Sequence, residues 1–178
     1  EALLEISYAV GSVMEVEDIL QRICDIGAKV METDTCSVYL LDEDESDMLV
    51  LRATHGLSRA EELGVRGFRV GEGVPGWAAQ NNTTAVLDDA SHDPRYARLD
   101  DTEEESRYTG YICTPLRIQD EVVGVMTWRR GGPAHWGEEE VVFGEIVAKQ
   151  VAIVLEKARL YTQKVEAERL AAIAISLG

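Results

Sequence analysis

The residues of this chain best able to do chemistry are three cysteines, three histidines and a cluster of aspartates between positions 88 and 93. Cys24, Cys36 and Cys113 are odd in number and widely spaced, without a CxxC pair or metal-ligand spacing. They read as small buried thiols of a reducing compartment. His55, His92 and His135 stand apart from one another, and each reads as a surface or hydrogen-bonded imidazole. Asp88, Asp89 and Asp93 sit in one polar loop, but no Ser-His-Asp, HExxH or paired-carboxylate arrangement accompanies them. The residue types therefore offer no recognisable catalytic constellation.

A glycine cluster, GEGVPGWAAQ at residues 71–80, precedes that loop. A phosphate cradle needs a lysine and a Ser/Thr after its glycines, and Trp77 and Ala78 stand there instead. Gly71 and Gly73 permit a positive φ for a sharp strand-to-helix turn, Pro75 presets the first helical turn, and Gly76 lets that turn approach another backbone. The pattern predicts a helix from Val74 to Asn81 whose N-terminal amides can meet an anion. Trp77 on it is a core anchor or a ligand platform. Asp93, Pro94 and Arg95 read as a structural turn. Asp88, Asp89, Tyr96 and Tyr108 add carboxylates and hydroxyls to the same part of the chain. The acidic stretch at residues 100–107 reads as a solvated lid or short helix.

These residues need a scaffold, and the hydrophobic pattern outlines one. Leu3, Ile6, Val10 and Val13 lie at helical spacing; a break near Met14 and a second helix from about Val16 follow, with Ile19, Leu20, Ile23, Ile26 and Val30 on its inner face. Short β-rich runs come next: 36–41, 48–53, 67–70, 86–87, 111–118 and 122–129. Helices first, strands in the middle and a helix last predict an α+β domain: one mainly antiparallel sheet with helices on one face and the other left for loops and a pocket. From Trp136 the chain runs to its last residue without proline, which predicts one helix of roughly 60 Å. Val141, Val142, Ile146, Val147, Val151, Val154 and Leu155 form its core face. Val154, Ala158, Tyr161, Val165, Ala172 and Ile175 form a narrow stripe with coiled-coil steps, which predicts pairing with a second copy.

A net charge of −16, from 17 basic and 33 acidic residues, repels nucleic acid and anionic lipid. No apolar run is long enough to cross a bilayer, and no signal pattern opens the chain, so a cytoplasmic location is expected.

The segments GEGVPGWAAQ, VLDDASHDPRY, YICTPLRIQDEVVGVMTW and WGEEEVVFGEIVAKQVAIVLEKARLY resemble, in order and spacing, the signature blocks of GAF domains. The likeness covers roughly Leu3 to Tyr161. It is greatest to the GAF domains of bacterial nitrogen-system phosphotransferases, sensor histidine kinases and transcriptional activators. The resemblance implies a sheet of about six strands, a small-molecule pocket on one face and a dimer built by the terminal helices. It implies a pocket walled by Trp77, Asp88, Asp89, Tyr96, Tyr108 and Thr114. The cofactor is unknown: the chain lacks the cyclic-nucleotide branch's signature and does not match photoreceptor GAF domains around Cys113. A GAF branch reduces free methionine sulfoxide with clustered thiols, whereas Cys24 and Cys36 are predicted in a helix and a strand. The expected organisation is a sensory domain at 1–158 and a helical linker at 159–178 toward an output domain. The expected function is a small-molecule sensor that alters helix packing in a dimer; a ligand-free dimerisation and relay module is the alternative.

Overall fold

The structure, a computed structural model, describes residues 13–56, 63–64, 67–96 and 105–177. The helix expected at Leu3 to Val10 lies outside them. The elements are α1 (Val13–Met31), β1 (Thr35–Leu41), β2 (Met48–His55), β3 (Gly67–Arg69), α2 (Gly73–Asn81), β4 (Ala85–Leu87), β5 (Gly110–Ile118), β6 (Glu121–Arg130) and α3 (Glu138–Leu177). The break expected near Met14 is absent, because α1 already runs through that position.

The six strands form one sheet in the order β3-β2-β1-β6-β5-β4, with every pairing antiparallel. Two hairpins organise it. The acidic turn after Leu41 joins β1 to β2, and Gln119 and Asp120 join β5 to β6 with both residues at positive φ, the backbone of a tight hairpin turn. Because alternate residues of a strand face opposite sides, each strand contributes to two separate layers.

The first layer lies under the helices. Ile19, Leu20 and Ile23 of α1, together with Val147, Val151 and Val154 of α3, pack on Val38, Ile112, Met126 and Trp128 of the sheet. Trp128 is fully buried, and a Cβ on Gly144 would stand 3.2 Å from its ring, so this glycine lets α3 lie close to the indole. The buried face of α3 is Gly144, Val147, Ala148, Val151, Ala152 and Val154. Val142 and Ile146, expected in the core, point outward at 53% and 51% exposure. Val154, expected both on the core face and at the start of the dimer stripe, is 2% exposed inside the domain, so its core reading holds and the stripe cannot begin there. The sequence pattern misassigns Val142 and Ile146 because α3 carries apolar residues on two sides, and only packing distinguishes which side meets the sheet. Beyond residue 158 the described side chains of α3 are exposed.

The second layer covers the other sheet face. Val74, Ala78 and Ala79 of α2 pack on Tyr39, Leu49, Leu51, Phe68, Cys113 and Val125. Gly71 has φ 92°, and a Cβ on Gly76 would stand 2.3 Å from the Arg69 carbonyl oxygen, so the turn into α2 needs both glycines.

Candidate functional site

The face beneath α2 changes character along its strands. One end is apolar and filled by α2; toward the other end buried polar residues replace the hydrophobic ones. Cross-strand pairing places Thr54, Ser37, Thr127 and Cys113 in one row across β2, β1, β6 and β5. The neighbouring row is Thr35, Arg129 and Tyr111. Directly paired residues share a face, and Cys113 and Tyr111 belong to the cluster under α2, so both rows lie on that side. Thr35, Ser37, Thr127 and Arg129 are 5% exposed or less, and Thr54 is 9% exposed.

Arg129 is the centre of this polar floor. Its Nε donates to the Tyr108 carbonyl oxygen at 3.0 Å, and Nη2 donates to the Tyr96 hydroxyl at 3.2 Å. Its guanidinium carbon lies 4.5 Å from the Tyr111 ring centre and 5.6 Å from that of Tyr96, within cation–π range. The Ser37 and Thr54 hydroxyls share a hydrogen bond of 2.8 Å. Neither Thr35 nor Thr127 has a hydrogen bond from its hydroxyl to any described residue.

The six residues expected at the pocket fall in three places. Tyr96 and Tyr108 come to Arg129, Tyr108 through its backbone carbonyl rather than its phenol. Trp77 is half-buried on α2, and Arg95 stacks 4.6 Å over its ring. Asp93 holds Arg95 there: its carboxylate accepts from Arg95 Nε and Nη2, each at 2.9 Å, and from the Arg95 amide. The Arg95 hydrogen bonds hold the Asp93 carboxyl below its ordinary range against the opposing effect of burial. Asp88 is exposed and pairs with His135 at 3.6 Å. Asp89 caps the short 3-10 turn Ala90–His92, accepting from the Ser91 amide and hydroxyl, which lower its pKa. Both aspartates therefore serve the loop around the floor.

Thr114 is not with the others. It lies on the helix-covered face, the same side as Ile112 and Leu116, where its hydroxyl meets Thr84 at 3.0 Å and Thr84 donates to Glu145 of α3. Strand alternation puts it opposite Cys113, and its adjacency in sequence to that residue concealed this. The residue that sequence reasoning missed is Arg129. Its signal was an arginine closing the apolar run 122–129, which read as a strand end until pairing placed it between two tyrosines.

The thiols do not gather at this site. Cys24 and Cys36 lie in the helix-side core, where burial and then the neighbouring Cys24 push the Cys36 thiol far up. Cys113 is buried under α2, and burial alone raises its pKa well above the ordinary thiol range. Buried, protonated thiols are poor nucleophiles. Among the described residues, no three His, Cys, Asp or Glu side chains come together as metal ligands, and no helix is long and apolar enough to cross a membrane. A separate cleft of about 290 Å³ opens between the β5–β6 hairpin and α3, walled by charged side chains of both signs, including Arg117, Asp120, Glu145 and Lys149. It does not reach the polar floor.

Six antiparallel strands with helices on one face and a half-polar second face ringed by loops define an α+β domain of the GAF-like class. The chain belongs to the GAF domain family, whose model matches residues 15–155. Over 171 residues it is 28% identical to the Nif-specific regulatory protein of Herbaspirillum seropedicae, covering 94% of this chain and 30% of that protein. The chain thus spans less than a third of that relative. The GAF domain of an Acinetobacter phosphoenolpyruvate-protein phosphotransferase superposes with a TM-score of 0.75 at 27% identity, over 89% of this chain and 93% of that one. The free methionine-R-sulfoxide reductase of Neisseria meningitidis shares the fold, with a TM-score of 0.72 at 22% identity over 90% and 89% of the two chains. The family thus includes regulatory modules, and its fold also serves an enzyme.

Proposed function

We propose that this domain is a regulatory small-molecule sensor of a cytoplasmic signalling protein, with the polar floor as its ligand site and α3 as its output. The observation that carries this reading is the set of buried polar side chains at one end of a sheet face. Burying hydroxyls and a guanidinium contributes less to stability than apolar packing, so a purely structural layer would not favour them. The Herbaspirillum relative, a Nif-specific regulatory protein, supports the same reading. The burial of all three thiols supports a non-catalytic role.

Output runs through α3 in this reading. Its first half is bound to the sheet and its second half projects, so a change under the first can be transmitted along one continuous helix. Val142, Ile146, Ile153, Leu160, Leu170 and Leu177 are all exposed, and their spacings fit the two apolar positions of a heptad seam, with a ten-residue gap between Leu160 and Leu170. We assign this side to pairing with a second copy, in place of the stripe that begins at buried Val154. Residues 159–178 then act as a linker to a covalently attached output domain. A ligand shifts such an assembly only by binding one helix packing more tightly than the other.

A native mass spectrum of the purified chain, with thermal melts against a metabolite library, tests both parts. A dimer that carries or acquires a small molecule is expected. A dimer that no metabolite stabilises would favour the relay module, a reading for which the long exposed half of α3 speaks. A monomer at micromolar concentration would remove the seam.

A further inference from the structure

We infer that the cleft between the β5–β6 hairpin and α3, separate from the polar floor and independent of the sensor reading, binds a small zwitterion carrying one carboxylate and one ammonium. The cleft holds about 290 Å³, close to the lower bound of roughly 300 Å³ for ligand pockets. Each wall supplies one charge of each sign: Arg117 and Asp120 from the hairpin, Glu145 and Lys149 from α3. None of the four forms an ion pair with a described residue. On α3 this runs against the local rule, because a glutamate four residues before a lysine has the spacing and order that favour a pair. Glu145 turns instead to Thr84, whose hydroxyl donates to Oε2 at 3.2 Å and is itself bonded to Thr114. The second oxygen of Glu145 and the Lys149 ammonium are left to the cleft.

The opposite wall is fixed in the same way. Arg117 donates from Nε to the Asn82 side-chain oxygen and from Nη2 to the Asn82 carbonyl oxygen at 3.0 Å, which leaves Nη1 uncommitted among the described residues. The Asn82 amide in turn donates to the Asp120 carbonyl oxygen at 3.4 Å and ties the hairpin tip to the end of α2. The guanidinium is thus oriented before a ligand arrives, which lowers the ordering cost of binding. The balance of charge names the ligand class. A simple acid at Arg117 and Lys149 would bring its charge close to two carboxylates, and a simple amine at Asp120 and Glu145 would bring its charge close to two cations. A zwitterion meets both signs with charge-assisted hydrogen bonds. It is also neutral overall, so the chain's net charge of −16 does not repel it from a distance as it does an anion.

Amide chemical shifts of the isotope-labelled chain, titrated with alanine and β-alanine and with propionate and ethylamine at equal ionic strength, test this assignment. At least one of the two zwitterions should give saturable shifts at residues 117–121 and 145–149 with a dissociation constant of about 1 mM or tighter, while propionate and ethylamine do not saturate. Glu145→Gln keeps an acceptor for Thr84, and Lys149 has no described partner to lose, so both Glu145→Gln and Lys149→Met should fold. Each should weaken binding of the zwitterion by about tenfold or more. Propionate or ethylamine binding as tightly as the zwitterions overturns the assignment, as does binding that neither variant weakens. Absence of any saturable shift overturns it too. Shifts confined to residues of the polar floor would also overturn it while supporting the sensor reading. If Lys149→Met alters sedimentation but leaves the titration unchanged, the cleft serves assembly and the proposal falls.

Discussion

The two faces of the sheet are made by the same strands, residue by alternate residue, and they are built to different rules. Under α1 and α3 the sheet offers Val38, Ile112, Leu116, Met126 and Trp128, and the buried polar side chain there, Thr114, is bonded to Thr84. Under α2 and its loops the same strands offer Thr35, Ser37, Thr54, Thr127 and Arg129 beside an apolar half. The first face is where folding free energy is concentrated. The second gives up part of that burial for polar groups arranged in rows, which is what a binding surface requires and a core does not.

The sharpest way to test this division is to put the same charge on α3 where it faces the sheet and where it has left it. Val154→Glu buries a carboxylate among apolar side chains with no partner, and should cost about 4 kcal/mol or more, enough to unfold much of the population at 37 °C. Leu160→Glu lies six residues on at 52% exposure and should leave the midpoint within about 2 °C while dissociating the proposed dimer. Circular dichroism and sedimentation velocity on the two variants separate fold from assembly. Equal melting of both would contradict the division of α3 into a packed and a projecting half.

The tryptophans extend the contrast across the sheet. Trp128→Ala removes a fully buried indole and should cost about 3–5 kcal/mol in urea denaturation. Trp77→Ala removes a half-buried ring whose outer side is covered by Arg95, and should cost about 1–2 kcal/mol. A larger loss at Trp77 than at Trp128 would mean that the face under α2 is the main core.

Much of this was legible in the sequence, for identifiable reasons. All six strands lie where β-rich runs stand between turn residues, and the glycine cluster forms the turn into α2 that its φ requirements predict. Spacing alone does not say which way a strand faces. Thr114 and Cys113 are adjacent in sequence and lie on opposite layers, and Val142 and Val154 carry the same side chain on opposite sides of one helix. Arg129 became a candidate only through its cross-strand neighbours, which come from segments far away in the chain. The aspartates divide in the same way: Asp93, expected as part of a structural turn, does accept from Arg95, whereas the bond of Asp89 to Ser91, two residues on, is visible only in the folded loop.

A smaller effect comes from two threonines of similar burial on opposite faces. Thr114→Val breaks the bond with Thr84 and should cost about 1 kcal/mol in urea denaturation. Thr127→Val removes a hydroxyl with no partner among the described residues and should be neutral or slightly stabilising without ligand. A cost at Thr127 matching that at Thr114 would mean that its hydroxyl already has a structural use.

The smallest effect is in the loop that rims the floor, and its sign follows from the two depressed carboxyls. Hydrogen bonds from Ser91 and Arg95 favour the ionised forms of Asp89 and Asp93 in the folded state. Such groups contribute stability that is fully present above the unfolded value of about 3.9 and is lost as pH falls through the lower folded values. For Asp93, which is partly solvated, the contribution should stay below about 1 kcal/mol. The loop should therefore hold its geometry near neutral pH and loosen only under acid conditions, without the whole domain unfolding at the same point. Amide chemical shifts of Ser91 and Arg95 report the two carboxyls separately, and each should titrate with a midpoint below about 3.9. Midpoints at or above that value would mean the Asp93–Arg95 fork is not populated in solution. Trp77 would then lose the guanidinium that stacks on it, and the rim would be open rather than latched.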